Sequence, residues 1–238
     1  MKYLNWYFIL ILYLFGFVFS SLLSPYFWFD EAGQIYMSLG LNHFSEPNSK
    51  IGSFFDVIKN NNSSNLDPGG FSIILFFWLK ISANYVWIRV LPYFFFITSV
   101  FLVVKVSDII HKNKNNFIYG VLVFIIPQLV FRSSEIRAYT MEFLSIIVSI
   151  YIIINLDKLN NKNLFLLSFV SSMLISSRYS SVLLFGIITL ITIYYILIST
   201  KSFYNKFISI LLFSIPLLMS VSLIFFVSLT HQNPNLSK

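Results

Sequence analysis

The chain reads as long apolar runs separated by short polar breaks. Seven runs are long enough, or nearly so, to cross a bilayer: residues 3–24, 87–106, 117–131, 138–156, 164–177, 180–199 and 207–229. Runs approaching about 20 apolar residues satisfy their own backbone as membrane helices, whereas barrel strands would alternate over segments of about ten. The third and fifth runs fall short of the usual lower limit of about 17 residues unless flanking Asn, Ser and Arg residues are drawn in. An eighth run, 69–81, follows an Asn- and Ser-rich stretch and the breaker Asp67-Pro68-Gly69-Gly70. Its length suits an interfacial or re-entrant helix better than a span. The expected fold is all-α: a polytopic membrane protein of about seven transmembrane helices, with short interfacial helices in the first outer loop, residues 25–86.

Composition agrees. The 238 residues are 57% hydrophobic and 11% charged, with mean hydropathy +0.79; soluble domains carry roughly 25% charged residues. The first run is longer than a signal-peptide core and lacks a good cleavage site at Ser20–Pro25, which predicts an uncleaved first span. There is no cysteine, so disulfides and thiolate metal sites are excluded. His43, His111 and His231 are scattered without ligand spacing. The net charge of +7 belongs to short loops and orients the chain; it is no nucleic-acid signature.

Sidedness follows from the lysines. If 69–81 does not cross and Met1 is cytoplasmic, the inner segments hold Lys2, Lys105, Lys112, Lys114, Lys158, Lys162, Lys201 and Lys206. If it crosses, the last seven move outside and the positive-inside bias is lost. The expectation is therefore seven spans, N-terminus in and C-terminus out. All four arginines, Arg89, Arg132, Arg137 and Arg178, then lie outside. Arginine is the better fork for phosphate oxygens, so the segregation points to an outward-facing phosphate site.

The candidate chemistry begins at Trp28-Phe29-Asp30-Glu31, where the chain leaves the first run. Acids at a membrane boundary are functional suspects, and an Asp there can take a proton from an acceptor while a lipid-borne substrate stays anchored. The plain alternatives are a headgroup-facing span end for the two acids, a self-paired surface turn for Arg132, Glu135 and Arg137, and a headgroup anchor for Arg89. Arg178 sits between two runs with almost no loop and has to be paired, snorkelling or lining a cavity. Glu142 reads as an acid near the outer interface.

These residues resemble the C-type glycosyltransferase superfamily of polyprenyl-phosphate-sugar-dependent enzymes, which includes protein O-mannosyltransferases and lipid A aminoarabinose transferases. The resemblance rests on Asp30-Glu31 after the first span with Tyr36 beyond, on Asp67-Pro68-Gly69-Gly70-Phe71, on Arg89-Val90-Leu91-Pro92, on Ser134-Glu135-Ile136-Arg137-Ala138-Tyr139, and on Arg178. It covers about residues 1–200. It departs from the family pattern at Asp67-Pro68, where His/Lys-Pro-Pro is usual, and in length, since typical members run further. The chain is thus expected to be a single module over 1–238, minimal or truncated at its C-terminus.

The resemblance implies a membrane glycosyltransferase of the cell envelope. It would transfer a sugar from a polyprenyl-phosphate donor to a glycan, lipid or protein acceptor on the extracytoplasmic side of the inner (plasma) membrane. Asp30 would be the general base and Glu31 would shape the site. Arg89, Arg137 and Arg178 would bind the donor phosphate. Trp28, Tyr36, Glu135 and Tyr139 would contact substrate. No metal or other cofactor is expected, although Asp30 and Glu135 are the acids that would hold a divalent Mg or Mn ion. The competing classes are a non-catalytic fragment or assembly partner of such an enzyme, and a transporter of lipid-linked saccharides. The transporter is disfavoured by the lack of deep charge and of an internal repeat.

Overall fold

The computed structural model describes residues 6–41, 50–65, 67–112, 116–156, 160–199 and 202–231. Lys2, His43, Glu46, Lys114, Lys158 and Lys201 lie outside these segments. The described residues form helices and no strand. The helices are α1 (Trp6–Phe19, prolonged by a 3₁₀ turn Ser20–Leu23), α2 (Phe29–Ser38), α3 (Phe54–Ser64), α4 (Gly70–Leu79), α5 (Tyr85–His111), α6 (Phe117–Val123), α7 (Pro127–Arg132), α8 (Tyr139–Ile154), α9 (Asn161–Leu174), α10 (Tyr179–Ile198) and α11 (Phe203–Leu223). A π turn, Ile224–Ser228, and a 3₁₀ turn, Leu229–His231, continue α11.

Among the described residues four helices are long and apolar enough to cross a membrane: Trp6–Leu23, Tyr85–His111, Tyr179–Ile198 and Phe203–His231. Their outward faces carry large apolar side chains such as Tyr13, Leu183, Leu190 and Phe226. Water would penalise that surface and lipid tails do not, which makes this a protein of the bilayer. The expected count of seven is not met on length alone. At 16 and 14 residues, α8 and α9 span about 24 and 21 Å, against roughly 30 Å of hydrocarbon. The run 117–131 is not one helix. Pro127 starts α7, and Ile126 before it is extended (φ −88°, ψ 99°), which separates α7 from α6.

Between α1 and α5 lie three short helices. At ten residues, α4 is about 15 Å long, half the hydrocarbon depth. Its Phe71, Leu75 and Leu79 join the main core with Ile88, Met141 and Phe185. A second cluster (Ile11, Phe15, Phe96, Val123) joins α1 and α6 to the other face of α5, so α5 is the shared wall.

Apolar residues fill the core and also cover the outside, and small polar groups sit buried in the helix seams, unlike the pattern of a water-soluble bundle. Ser145 and Ser181 meet between α8 and α10 at 3.3 Å. The Ser168 hydroxyl donates to Phe213 O at 2.5 Å between α9 and α11. Small hydroxyl residues allow close helix approach and can hydrogen-bond across the seam. These contacts also give direction. Asn161 meets Ser209, Ser168 meets Phe213 and Ser172 meets Ser220, so α9 and α11 run parallel. Phe8 meets Phe117, Phe15 meets Phe124 and Ser21 meets Ser134, so α1 and α6–α7 do too. The C-terminal ends of α1, α7, α9 and α11 therefore gather with the N-terminal ends of α5, α8 and α10.

Two clasps hold α4 at that end. Gly70 N donates to Ser176 O at 3.0 Å, and a Cβ on Gly70 would lie 1.9 Å from Ser176 Oγ and 2.6 Å from its carbonyl oxygen. At the other end of α4, Trp78 and Trp87 stack at 4.3 Å, and each indole N–H donates to the other's carbonyl, at 2.8 and 3.1 Å. Gly70→Ala should lower stability by about 1–3 kcal/mol through overpacking. Gly186→Ala, in α10 with open space around it, should leave Tm unchanged or slightly higher. Thermal unfolding of the two variants in detergent micelles compares them; equal midpoints would remove the clasp from the account.

Candidate functional site

The four arginines sit at the gathered helix ends, and the side chains around them come from six segments. The adjacent acids Asp30 and Glu31 occupy the first turn of α2. Successive helical residues point about 100° apart, so one faces the protein and the other faces out. Glu31 is the buried one, and Asp30 keeps half its side-chain surface exposed.

Glu31 and Arg89 form a bidentate pair. Arg89 Nη1 donates to Oε1 at 2.6 Å and Nη2 to Oε2 at 2.9 Å. Arg89 also donates to Ser134 O at 2.9 Å and Tyr26 O at 2.7 Å. Glu31 accepts from the backbone of Ile136 at 3.1 Å and of Trp28 at 3.3 Å. The pair is almost fully enclosed, and Phe27 lies against the guanidinium at 5.1 Å. Both terminal nitrogens of Arg89 are engaged, so its geometry is that of a support. The neighbouring Trp28 contributes its backbone and leaves its indole half-exposed.

The other three arginines are arranged differently. Arg137 Nη1 lies 3.1 Å from Asp30 Oδ2. Arg132 Nη1 donates to Glu135 Oε2 at 3.3 Å. Arg178, the N-cap residue of α10, reaches Asp67 through Nε at 3.2 Å and Glu142 through Nη1 at 3.3 Å. All three guanidiniums cluster on one ring, that of Tyr139, with Cζ at 3.8 Å (Arg132), 5.2 Å (Arg178) and 5.8 Å (Arg137) from its centroid. Burial pushes the Asp67 carboxyl up, with Arg178 offsetting part of the rise. Burial does the same to Glu135, offset by Arg132 and Arg137.

Of the residues singled out from sequence, Asp30, Glu31, Arg89, Glu135, Arg137, Tyr139 and Arg178 come together. Tyr36 is six residues beyond Asp30 on α2, about 240° around the helix. Among the described residues no hydrogen bond or ring contact joins it to the arginines. Glu142 takes part more directly than its position suggested: it pairs with Arg178 and accepts from Ser180 Oγ at 2.5 Å. Sequence reasoning missed Asp67 as a charge partner, since Asp67-Pro68-Gly69-Gly70 read as a breaker and as a helix-start motif of the resemblance. It also missed the buried chain in which Gln34 donates to Ser72, Ser72 to Asn61 and Asn61 to Asp67 O. The polar face of α3, rich in Asn, was its one visible signal.

Beside Asp67 opens an apolar groove of about 1040 Å³ between α3, α4, α9 and the end of α11. Pro68, Gly69, Ile73, Phe54, Leu223 and Phe226 are among its lining residues. The π turn forms one wall, and its Val227 carbonyl accepts from Asn62 at 2.7 Å. Among the described residues no three His, Asp or Glu side chains converge as a metal site would require. Comparison with family models, curated proteins and solved structures finds no match for this chain.

Breaking the buried pair should be costly because it leaves one uncompensated charge. Arg89→Met or Glu31→Gln should each lose about 3–5 kcal/mol, and the double variant Glu31→Leu/Arg89→Met should recover much of the loss. Unfolding of single and double variants in detergent measures this. Additive losses would mean the two groups act independently.

Proposed function

We propose that the chain is a membrane glycosyltransferase that uses a polyprenyl-phosphate-linked sugar, with Asp30 as general base. The observation that carries this reading is the pairing of a half-exposed carboxylate, Asp30, with a guanidinium of the Tyr139-centred cluster. A proton acceptor and an anion-stabilising group then lie within one contact of each other, as displacement of a phosphate leaving group requires. The acceptor hydroxyl gives its proton to Asp30 as its oxygen bonds to the anomeric carbon. The bond from that carbon to the phosphate oxygen breaks, and the electron pair leaves with the prenyl phosphate. Arg137 and Arg178 stabilise that charge, while Arg89 and Glu31 hold α2, α5 and the 133–138 loop in place. The apolar groove beside Asp67 is large enough for part of a prenyl chain.

The alternating direction of α1, α5, α6–α7, α8, α9, α10 and α11 supports seven crossings, the shorter helices completed by flanking turns. Lys105, Lys112, Lys162 and Lys206 lie toward the end away from the arginines, and the positive-inside bias of such lysines supports an extracytoplasmic Asp30 at the plasma membrane.

Purified protein incubated with labelled polyprenyl-phosphate sugars should release polyprenyl phosphate. Asp30→Asn should reduce that release about 10²–10⁴-fold while Tm stays near the parent value. Undiminished release from this variant would end the base assignment.

A further inference from the structure

Contact lengths divide the arginines into two kinds. Arg89 is held on Glu31 at 2.6 and 2.9 Å, as short as strong charge-assisted bonds, which run to about 2.9 Å. The three arginines on Tyr139 touch their carboxylates only at 3.1–3.3 Å. Each offers a single nitrogen to any one carboxylate, and none forms the parallel fork that guanidinium and carboxylate prefer. Charge is also over-supplied, because Asp30, Asp67, Glu135 and Glu142 face three guanidiniums. Two of these acids are poorly compensated for their burial, since desolvation pushes both Asp67 and Glu135 up. The other two are accounted for: Glu142 is fixed by Ser180, and Asp30 remains half in solvent.

We propose that Asp67 is a displaceable counter-ion: its carboxylate occupies the Arg178 edge of a three-arginine, Tyr139-floored site, and the phosphate of a lipid phosphate takes its place. Arg132, through its approach to Tyr139, is the third guanidinium of that site. A tetrahedral phosphate offers oxygens to forks arriving from three segments, which a planar carboxylate cannot do. Asp67 can withdraw by rotating its side chain, which meets Arg178 through a single nitrogen at 3.2 Å, while its carbonyl stays on Asn61. The groove starts at Pro68, so an anion on Arg178 has apolar surface beside it for a chain. The proposal depends on the transferase reading only in taking the lipid to be a prenyl carrier.

The test is calorimetric titration of the full chain, in neutral detergent, with inorganic phosphate and with farnesyl phosphate. Farnesyl phosphate should bind more tightly than the inorganic ion; equal affinities would detach the groove from the site and overturn the lipid part. Asp67→Asn, which removes the competitor, should tighten both by up to about tenfold, and Arg132→Gln or Arg178→Gln should weaken both by about tenfold or more. Tyr139→Leu, which removes the ring that gathers the guanidiniums, should bind both more weakly. An absence of phosphate binding by the parent, or an Asp67→Asn variant that binds no better than the parent, overturns the proposal. If Asp67→Asn fails to fold, Asp67→Ala is titrated in its place; failure of both to fold would make Asp67 a fixed support and end the idea. Phosphate binding without sugar transfer would remove the transferase reading alone. Transfer with unchanged affinity in Asp67→Asn would remove this one alone.

Discussion

A single enclosed ion pair, Glu31 with Arg89, sets the position of nearly everything at the gathered helix ends. Its two side chains reach the first turn of α2, the start of α5, the carbonyl of Tyr26 after α1, and the backbone of Ser134 and Ile136 before α8. Two charges out of water are tolerated only when their geometry is close and most of their remaining hydrogen bonds are met; here both terminal nitrogens of Arg89 are engaged and Nε is left without a partner. That demand ties together segments as far apart as residues 26 and 136. Once Glu31 points inward, the helix turn sends Asp30 outward to Arg137.

The rest of the bundle follows a different rule. Lipid tails are as apolar as leucine, so helix association there rests on close packing and on hydrogen bonds inside the seams. Ser145, Ser168, Ser181 and Ser209 supply both. Large aliphatic and aromatic residues fill the two cores and also cover the lipid-facing outside. Among the short helices after α1, α4 is packed differently, through Gly70 against Ser176 and through the paired indoles of Trp78 and Trp87. With α3 it borders the groove that opens beside Asp67.

The glycosyltransferase reading thus draws on two neighbouring environments. One is polar and crowded with guanidiniums around an aromatic ring. The other is apolar and large. A substrate with a charged head and a hydrocarbon tail suits both at once, and the looser ion pairs lie where those environments meet.

Much of this was legible in the chain alone. The apolar runs located α1, α5, α8, α9, α10 and α11 to within a few residues, because helix formation in lipid is a local requirement of the backbone. The asymmetry of arginine and lysine foretold which loops would share an end. The split of 117–131 was also local, written in Pro127, yet the apolar run concealed it. Other features depended on residues distant in sequence: which of two adjacent acids is buried, that Arg89 is spent on Glu31, that Asp67 and Glu142 both reach Arg178, and that three arginines share Tyr139. Composition and periodicity report the solvent each segment prefers. Pairing among buried charges is settled only when packing brings separate segments within a few ångströms and removes the water that would otherwise have answered each charge alone.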